Sequence, residues 1–524
     1  MNLLTDPLLR VETPDGSERL SLPGLLAALG RDRVESLPGI QRHQEDAFHV
    51  FLCQLASVIL ARDGRDDPVQ PEDYWREGLR RLAGEAGDDA WTLVVEDLSK
   101  PAFMQPPLPA SDHGKLKWLA GSPDALDLLP TSKNHDLKQS RAGAGEADEW
   151  IYSLISLQTM SGYFGRGNPG IARMNSGFGN RPIVEVIHSL RMGCRFADAV
   201  ARLTDHRGNL LAGPWGYQDS GRTLLWSAAW DGKSSLSLSG LDPNHIEIAR
   251  RIRLQKCGNR LAASAVPSDS TRIDAKSLNG LVGDPWLPVD LGQEKKGKKP
   301  VEAKALTVSR NGLTADLLRR LLFADRIELS PLQKPIPGRK GPAWLSVSVL
   351  VRGQGTTDGF HERRIEIPEA QQPRLFGARA ETDPLPDLAQ NMVATAEQLQ
   401  NRVLKPAVFH LLEGAPEKIN FDRDSAQAWW EGFARHYNQS WSDDYFPFLW
   451  QTPESFDVDE RLDAWRLLLK SHALSVLHDA FAALPRHSGR RWRVRCEAEH
   501  IFHGSFHNQF PHLKEESHAQ LASH

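Results

Sequence analysis

DPLPDLAQNMVATAEQLQNRVLKPAVFHLLEG, residues 383–414, is where the chain changes character. The prolines of Asp383-Pro384-Leu385-Pro386 end whatever precedes them. Asp387 is a suitable N-cap for a helix running to about Glu413. Leu388, Met392, Ala396, Leu399 and Val403 recur at spacings of 4, 4, 3 and 4, one face of a helix. Pro406 should kink that helix and Gly414 should end it. Downstream, the same periodicity predicts helices over about Ser425–Tyr437, Asp459–Ala483 and Arg490–Asn508. Helices of this kind with moderate connections form a four-helix bundle.

Upstream the pattern is mixed. The opening segment is strand-like. A helix is predicted from about Glu45 to Ala61, with Phe48, Phe51, Leu52, Leu55, Val58 and Ile59 on one apolar face. From about Gly121 to Gly240, abundant Gly, Ser, Asn and Trp read as short strands and long loops. Trp344–Val351 (WLSVSVLV) reads as a buried or half-buried strand. The fold class is therefore α+β: a large mixed domain of short strands, helices and long loops over 1–380, then a helical bundle over 381–524.

The totals narrow the class of protein. The 524 residues suffice for several domains, and 40% hydrophobic with 25% charged residues is ordinary for a globular chain. No run of 18 apolar residues predicts a transmembrane helix, and MNLLTDPLLR does not read as a signal peptide. Cys53, Cys194, Cys257 and Cys496 lie far apart, which argues against a disulfide framework or a zinc ribbon and fits a reducing cytosol. The net charge of −4 is not that of a free-standing nucleic-acid binder. Positive charge is instead local, at Lys295, Lys296, Lys298 and Lys299 and at Arg486, Arg490, Arg491, Arg493 and Arg495. Either these islands touch nucleic acid over part of the surface or they are solvated segments.

Four segments carry candidate chemistry. The first is SGYFGRGNPGIARMNSGFGNR, Ser161–Arg181, in which Gly162, Gly165, Gly167, Gly170, Gly177 and Gly179 sit among Arg166, Arg173 and Arg181. Glycine lets backbone approach a ligand closely, and arginine pairs with phosphate. The segment reads as a loop lying on a nucleic-acid backbone or groove, or as a structural loop with solvated arginines. It lacks the context of a dinucleotide fingerprint and the GKS or GKT of a phosphate loop. The second, Thr131–Lys138 (TSKNHDLK), holds Asn134, His135 and Asp136, but no serine or cysteine motif completes a triad. The third, Arg352–Arg364 (RGQGTTDGFHERR), follows the WLSVSVLV strand. It places Gln354 between Gly353 and Gly355 at an exposed hairpin tip. Gln can bond base edges or wedge at a base pair, but taken alone the segment equally reads as an ordinary hairpin. The fourth is the stripe Cys496, His500, His503 and His507, spaced 4, 3 and 4, with His512 beyond. That spacing suits metal ligation and supports a rival reading, a metal-dependent nuclease. The neighbouring Phe502, Phe506, Phe510 and Leu513 equally make it the polar flank of a bundle helix.

Taken in order, these segments resemble the large subunit (CasA family) of the type I-E CRISPR Cascade complex. Met1-Asn2-Leu3-Leu4-Thr5-Asp6-Pro7 looks like the family's start, and Lys100-Pro101-Ala102-Phe103-Met104-Gln105 resembles its PFMQ segment. The glycine-rich stretch and the terminal helices fall where the family has its glycine loop and bundle. A cytoplasmic place follows the scattered cysteines, and the lone Cys257, a departure from some members, predicts no zinc. The resemblance implies a non-enzymatic subunit without cofactor. It would partner other Cascade subunits, guide RNA, target double-stranded DNA and a helicase-nuclease, and no membrane. Such a subunit recognises the protospacer-adjacent motif and helps open the duplex into an R-loop, while base pairing with the guide supplies sequence specificity.

Residue by residue, the glycine loop maps to Gly162, Gly165, Arg166 and Gly167. The wedge glutamine maps to Gln354 with Gly353 and Gly355, and the family's minor-groove lysine to Lys276. A docking loop for guide RNA and neighbouring subunits maps to Thr131, Ser132, Lys133, Asn134, His135 and Asp136, within about Thr131–Gln139. Arg486, Arg490, Arg491, Arg493 and Arg495 would contact the displaced strand. Cys257 stands alone where some members have a cysteine cluster, and the hairpin lacks the family's Asn-Gln pair.

Overall fold

The structure, a computed structural model, describes residues 1–127, 143, 145–175, 177–292, 302–353, 356–378, 382–483 and 491–513. Contacts divide the chain into two units, 1–313 with 326–372, and 314–325 with 373–524.

The first unit opens with an antiparallel hairpin, β1 (Leu9–Thr13) and β2 (Gly16–Leu20), then α1 (Leu22–Gly30). Next come α2 (Glu45–Arg62), α3 (Glu72–Ala83), β3 (Lys117–Ala120) and α4 (Ala147–Met160). β4 (Ile183–Ile187) and α5 (Met192–Leu211) precede β5 (Arg222–Leu224), β6 (Leu241–Ile246), β7 (Arg251–Cys257) and β8 (Arg260–Val266). The unit closes with the long hairpin β9 (Ala343–Gly353) and β10 (Thr356–Ile367). Its sheets are small: β10–β9–β4 and β3–β8–β7 are antiparallel and three-stranded, and β5 pairs with β6 in parallel.

The predicted α2 is present over Glu45–Arg62, but its burial is not confined to one face. Ala47, Val50, Cys53, Ala56 and Leu60 are buried along with the expected stripe, because α3, α4, α5 and β6 surround it. A ring cluster seals its far side, with Phe51–Phe103, Phe103–Trp226 and Trp91–Trp226 centroids 5.8–5.9 Å apart. The stretch 121–240 is not made of strands and loops alone, since α4 and α5 lie within it. α4 begins where the Glu149 carboxylate accepts from the Glu146 backbone N–H at 2.9 Å, a reciprocal cap hidden in a charged run. α5 buries Phe196, Ala199, Val200, Leu203 and Leu210, but Arg202 and Arg207 are buried on the same helix and blur the stripe.

Arg207 pairs with Asp242 of β6 at 2.7 Å, and Arg202 lies 3.5 Å from Glu185, in a buried ion network beside the long hairpin. Arg195 of α5 reaches Asp46 of α2 at 2.9 Å and Glu185 of β4 at 2.8 Å, and His49 lies 3.3 Å from Glu185. Ser348 of β9 donates to Asp46. Burial opposes ionisation of Glu185, but the Arg195 and His49 charges outweigh it and hold the carboxyl well below its usual range.

In the second unit, α6 (Ala315–Phe323) packs on α7 (Leu385–Leu399). α7 begins two residues before Asp387, which therefore sits in the first turn. The predicted kink at Pro406 takes the form of a π-turn over Gln400–Leu404, in which the Lys405 N–H donates to Gln400 O. The wider turn accommodates the proline, which cannot donate, and α8 (Lys405–Leu412) continues to Gly414 at φ +74°.

α9 spans Asp424–Trp450, well beyond the expected Tyr437. The Ser440 and Ser442 hydroxyls donate to the carbonyls of His436 and Asn438, so this polar stretch stays inside the helix. α10 (Val458–Ala483) and α11 (Arg491–Gln509) complete the four-helix bundle, with α7 and α8 as one broken helix. Tyr437, Tyr445 and Trp465 all donate to carbonyls of α7, at Ala396, Ala389 and Met392. Each thus buries a large ring with its polar end satisfied. No helix among the described residues is long and apolar enough to cross a membrane.

Candidate nucleic-acid interface

The glycine-rich segment leaves the end of α4 and folds back on itself. Tyr163 N–H donates to Gly177 O at 2.6 Å, Ile171 N–H to Ser161 O at 3.1 Å and Phe164 N–H to Asn168 O at 2.9 Å. A Cβ on Gly162 would collide with the backbone of Gly177, Phe178 and Gly179, so only glycine permits this crossing. Gly165 is different: it has φ +87° and open space around it. It is the exposed tip, beside Arg166, which has no hydrogen-bond or ion-pair partner among the described residues.

The other two arginines point inward. Arg173 is 6% exposed, pairs with Asp284 at 2.8 Å and donates to Pro182 O at 3.0 Å. Arg181 donates to the carbonyls of Arg173 and Asn279. Burial, and then the Arg173 charge, bring its pKa down to about 10. Neither is free to meet a phosphate, which corrects that part of the sequence reading; both brace carbonyls that the glycine turns leave unpaired. Arg250 braces the loop as well, from the carbonyls of Gly162 and Pro169.

Arg250 joins the loop to the core. Its N–H donates to Gln158 Oε1 at 2.7 Å, and Gln158 Nε2 donates to Met104 O at 2.7 Å. The segment Pro101–Gln105 is wholly buried. Gln105 donates to Leu93 O and accepts from the Leu254 N–H at 2.6 Å. The glycine loop is thus mounted on a buried polar lattice. Glu247 lies under it, accepting from the Ala172 N–H at 2.8 Å. Burial pushes its carboxyl up to about 8.

Arg181 also brings a second predicted segment to the loop. Lys276 is exposed in a short helical turn, Lys276–Leu278, followed by Asn279 at φ +52°. The Arg181 contact to Asn279 O, at 3.2 Å, ties that turn to the loop's base. Sequence reasoning missed the aromatic dressing of the loop. Tyr163, Phe164 and Phe178 are 39–51% exposed, and the Tyr163 and Phe178 rings lie 6.3 Å apart. Aromatic residues between glycines were visible in the sequence, but not that they would face outward.

The hairpin is present, with β9 and β10 pairing up to Gly353 and Thr356. Gln354 and Gly355 lie outside the described residues, as do Thr131, Ser132, Lys133, Asn134, His135 and Asp136 of the docking loop. Lys295, Lys296, Lys298 and Lys299, and Arg486 and Arg490, are likewise outside them. At the start of α11, Arg493 pairs with Glu497 and Arg495 with Glu499, both at 2.7 Å.

The stripe Cys496, His500, His503 and His507 is on α11, yet no three His, Cys, Asp or Glu side chains gather to hold a metal among the described residues. Residues one turn apart present their side chains in a row; a second element must close a metal shell, and the α10 neighbour of His503 is a cation, Lys470. Among the described residues, the geometry therefore does not build the metal centre that the nuclease reading needs.

The molecule is thus a mixed α+β unit displaying a braced glycine loop, with a unit built on a four-helix bundle. That combination has counterparts among solved structures. CasA (Cse1) of Thermus thermophilus matches with a TM-score of 0.62 and 14% identity, over 97% of this chain and 99% of that one. Cse1 of Acidimicrobium ferrooxidans matches at 0.55 and 15%, over 97% and 98%, and Thermobifida fusca Cse1 at 0.55 and 16%, over 98% of both. No family model and no curated protein matches the sequence. The chain has the CasA (Cse1) fold along nearly its whole length.

Proposed function

We propose that this chain is the DNA-recognising large subunit of a cytoplasmic, RNA-guided complex of the Cascade type, a binding subunit and not an enzyme. The observation that carries the reading is the end-to-end correspondence with CasA folds, with the braced glycine loop displayed on the first unit. In this role Gly162 and Gly167 shape the loop, and Gly165 and Arg166 present it to the minor groove of the flanking motif. Lys276 reaches the same groove from the turn tied to the loop's base. That groove offers a degenerate code, so the reader tolerates several motifs. Gln354, between Gly353 and Gly355, acts as the wedge that starts strand separation. Thr131–Asp136 dock the chain onto guide RNA and neighbouring subunits, Arg486–Arg495 hold the displaced strand, and a helicase-nuclease is recruited to the opened target.

The test is binding of the assembled complex to duplexes that differ only in the flanking motif, at fixed salt. Wild type discriminates between motifs. Gly165→Asp puts a carboxylate at the tip and abolishes discrimination, and Lys276→Ala and Gln354→Ala weaken binding and opening respectively. Full discrimination by all three variants in intact complexes rejects the residue assignments. Failure of the wild-type chain to enter any RNA-guided complex rejects the function.

A further inference from the structure

The end of α10 and the start of α11 carry a feature that ion pairing alone does not explain. Trp492 is 67% exposed. Its ring centroid lies 6.0 Å from that of Phe481, tilted by 47°. Arg495 sits over both rings, 4.9 Å from the Phe481 centroid and 5.4 Å from that of Trp492. Arg491 lies over Phe481 at 4.3 Å, and it has no carboxylate partner among the described residues. The Glu499 carboxylate holds Arg495 at 2.7 Å, fixing the guanidinium against the rings.

Burial does not account for an indole left this exposed. Rings interleaved with guanidinium groups are the arrangement that holds single-stranded nucleic acid: bases stack on the rings while the cations follow the phosphates. Trp429 supplies a contrast in the same unit. It is 56% exposed and stacks on Phe433, with no cation over either ring among the described residues.

We propose that Phe481 and Trp492, with Arg491 and Arg495, form a base-stacking platform for unpaired DNA, so that this end of the bundle grips the displaced strand by its bases as well as its phosphates. The proposal rests on the reading that the chain works on opened duplex DNA, and it deepens that reading by assigning a stacking site.

The experiment uses the purified full-length chain and two fluorescently labelled oligomers of equal length and charge, oligothymidylate and an abasic strand. The expected result is that wild type binds the thymidylate roughly ten-fold tighter than the abasic strand. Trp492→Ala removes that gap, Trp492→Phe keeps part of it, and Trp429→Ala leaves it whole. Arg491→Gln weakens binding to both strands and flattens the salt dependence. Equal affinity of wild type for the two strands overturns the proposal, as does an equal loss in Trp429→Ala. A Trp492→Ala chain that binds strands normally but fails to assemble with protein subunits also overturns it, by showing that the face meets protein. A chain that prefers bases yet joins no RNA-guided complex refutes the function proposed above and leaves the platform standing. A complex that opens duplexes normally and binds the displaced strand no differently with Trp492→Ala refutes the platform alone.

Discussion

Arginine serves opposite ends in the two units. Around the glycine loop, Arg173, Arg181 and Arg250 turn inward and donate to main-chain carbonyls, so their charge supports the loop's shape and faces nothing outside. At the end of the bundle, Arg491 and Arg495 lie across aromatic rings at the surface. A glycine-rich crossing leaves carbonyls that only long donors can reach, whereas a regular helix satisfies its own backbone and leaves arginine side chains for other partners. Composition alone gives both segments the same reading, basic and able to meet phosphate; backbone geometry separates them.

The sharpest way to break this contrast is Arg173→Ala. It strips Asp284 of its 2.8 Å partner and leaves Pro182 O without that donor. Unfolding of the first unit by urea should register a loss of about 3–5 kcal/mol, the usual consequence of removing one side of a buried pair. A loss under about 1 kcal/mol, the scale of surface pairs, would mean that the inward arginines are not braces. Gly162→Ala comes next. Its Cβ has no room against residues 177–179, so a destabilisation of about 1–3 kcal/mol is expected. Gly165→Ala, in open space at φ +87°, carries only the local backbone strain, about 1–2 kcal/mol.

Acid and alkali should separate the units further. Burial lowers the pKa of His49, His188, His206 and His245 in the first unit. The unfolded chain therefore binds more protons than the folded one as pH falls through the unfolded histidine value near about 6.5, and stability falls with it. Glu247 acts at the other limb. Its folded value of about 8 lies above the unfolded carboxyl value of 4.5, so the folded unit holds a proton that the unfolded one has lost. Stability then falls as pH rises through that window and levels off above about 8. Thermal melts across pH should show both limbs for the first unit, and Glu247→Gln should flatten the alkaline one. The smallest effect is expected at Arg493. Its pair with Glu497 is exposed, so Arg493→Ala should leave the melting temperature of the bundle unchanged within error.

Much of this architecture was legible in the sequence. The Leu388–Val403 stripe marked α7 and the π-turn that follows it, WLSVSVLV marked β9, and the density of glycine between 161 and 181 located the loop. What escaped depends on contacts across the chain. α9 runs past the expected Tyr437 through a polar stretch whose Ser440 and Ser442 hydroxyls bond to carbonyls within the helix. α5 was hidden because its core face carries arginines whose partners, Asp46, Glu185 and Asp242, lie on other elements. The pairing of Phe481 with Trp492 joins two helices, and no periodicity within either one predicts it.

A subunit that reads a flanking motif and starts duplex opening, as proposed, should make opening depend on both itself and the motif. The most direct measurement is the fluorescence of a 2-aminopurine placed just inside the motif, as guide-loaded complexes with and without this chain are mixed with motif-bearing and motif-lacking duplexes. Fluorescence should rise only when both chain and motif are present, and Gly165→Asp should abolish the rise. Opening that proceeds equally without the chain, or equally without the motif, would contradict the proposal.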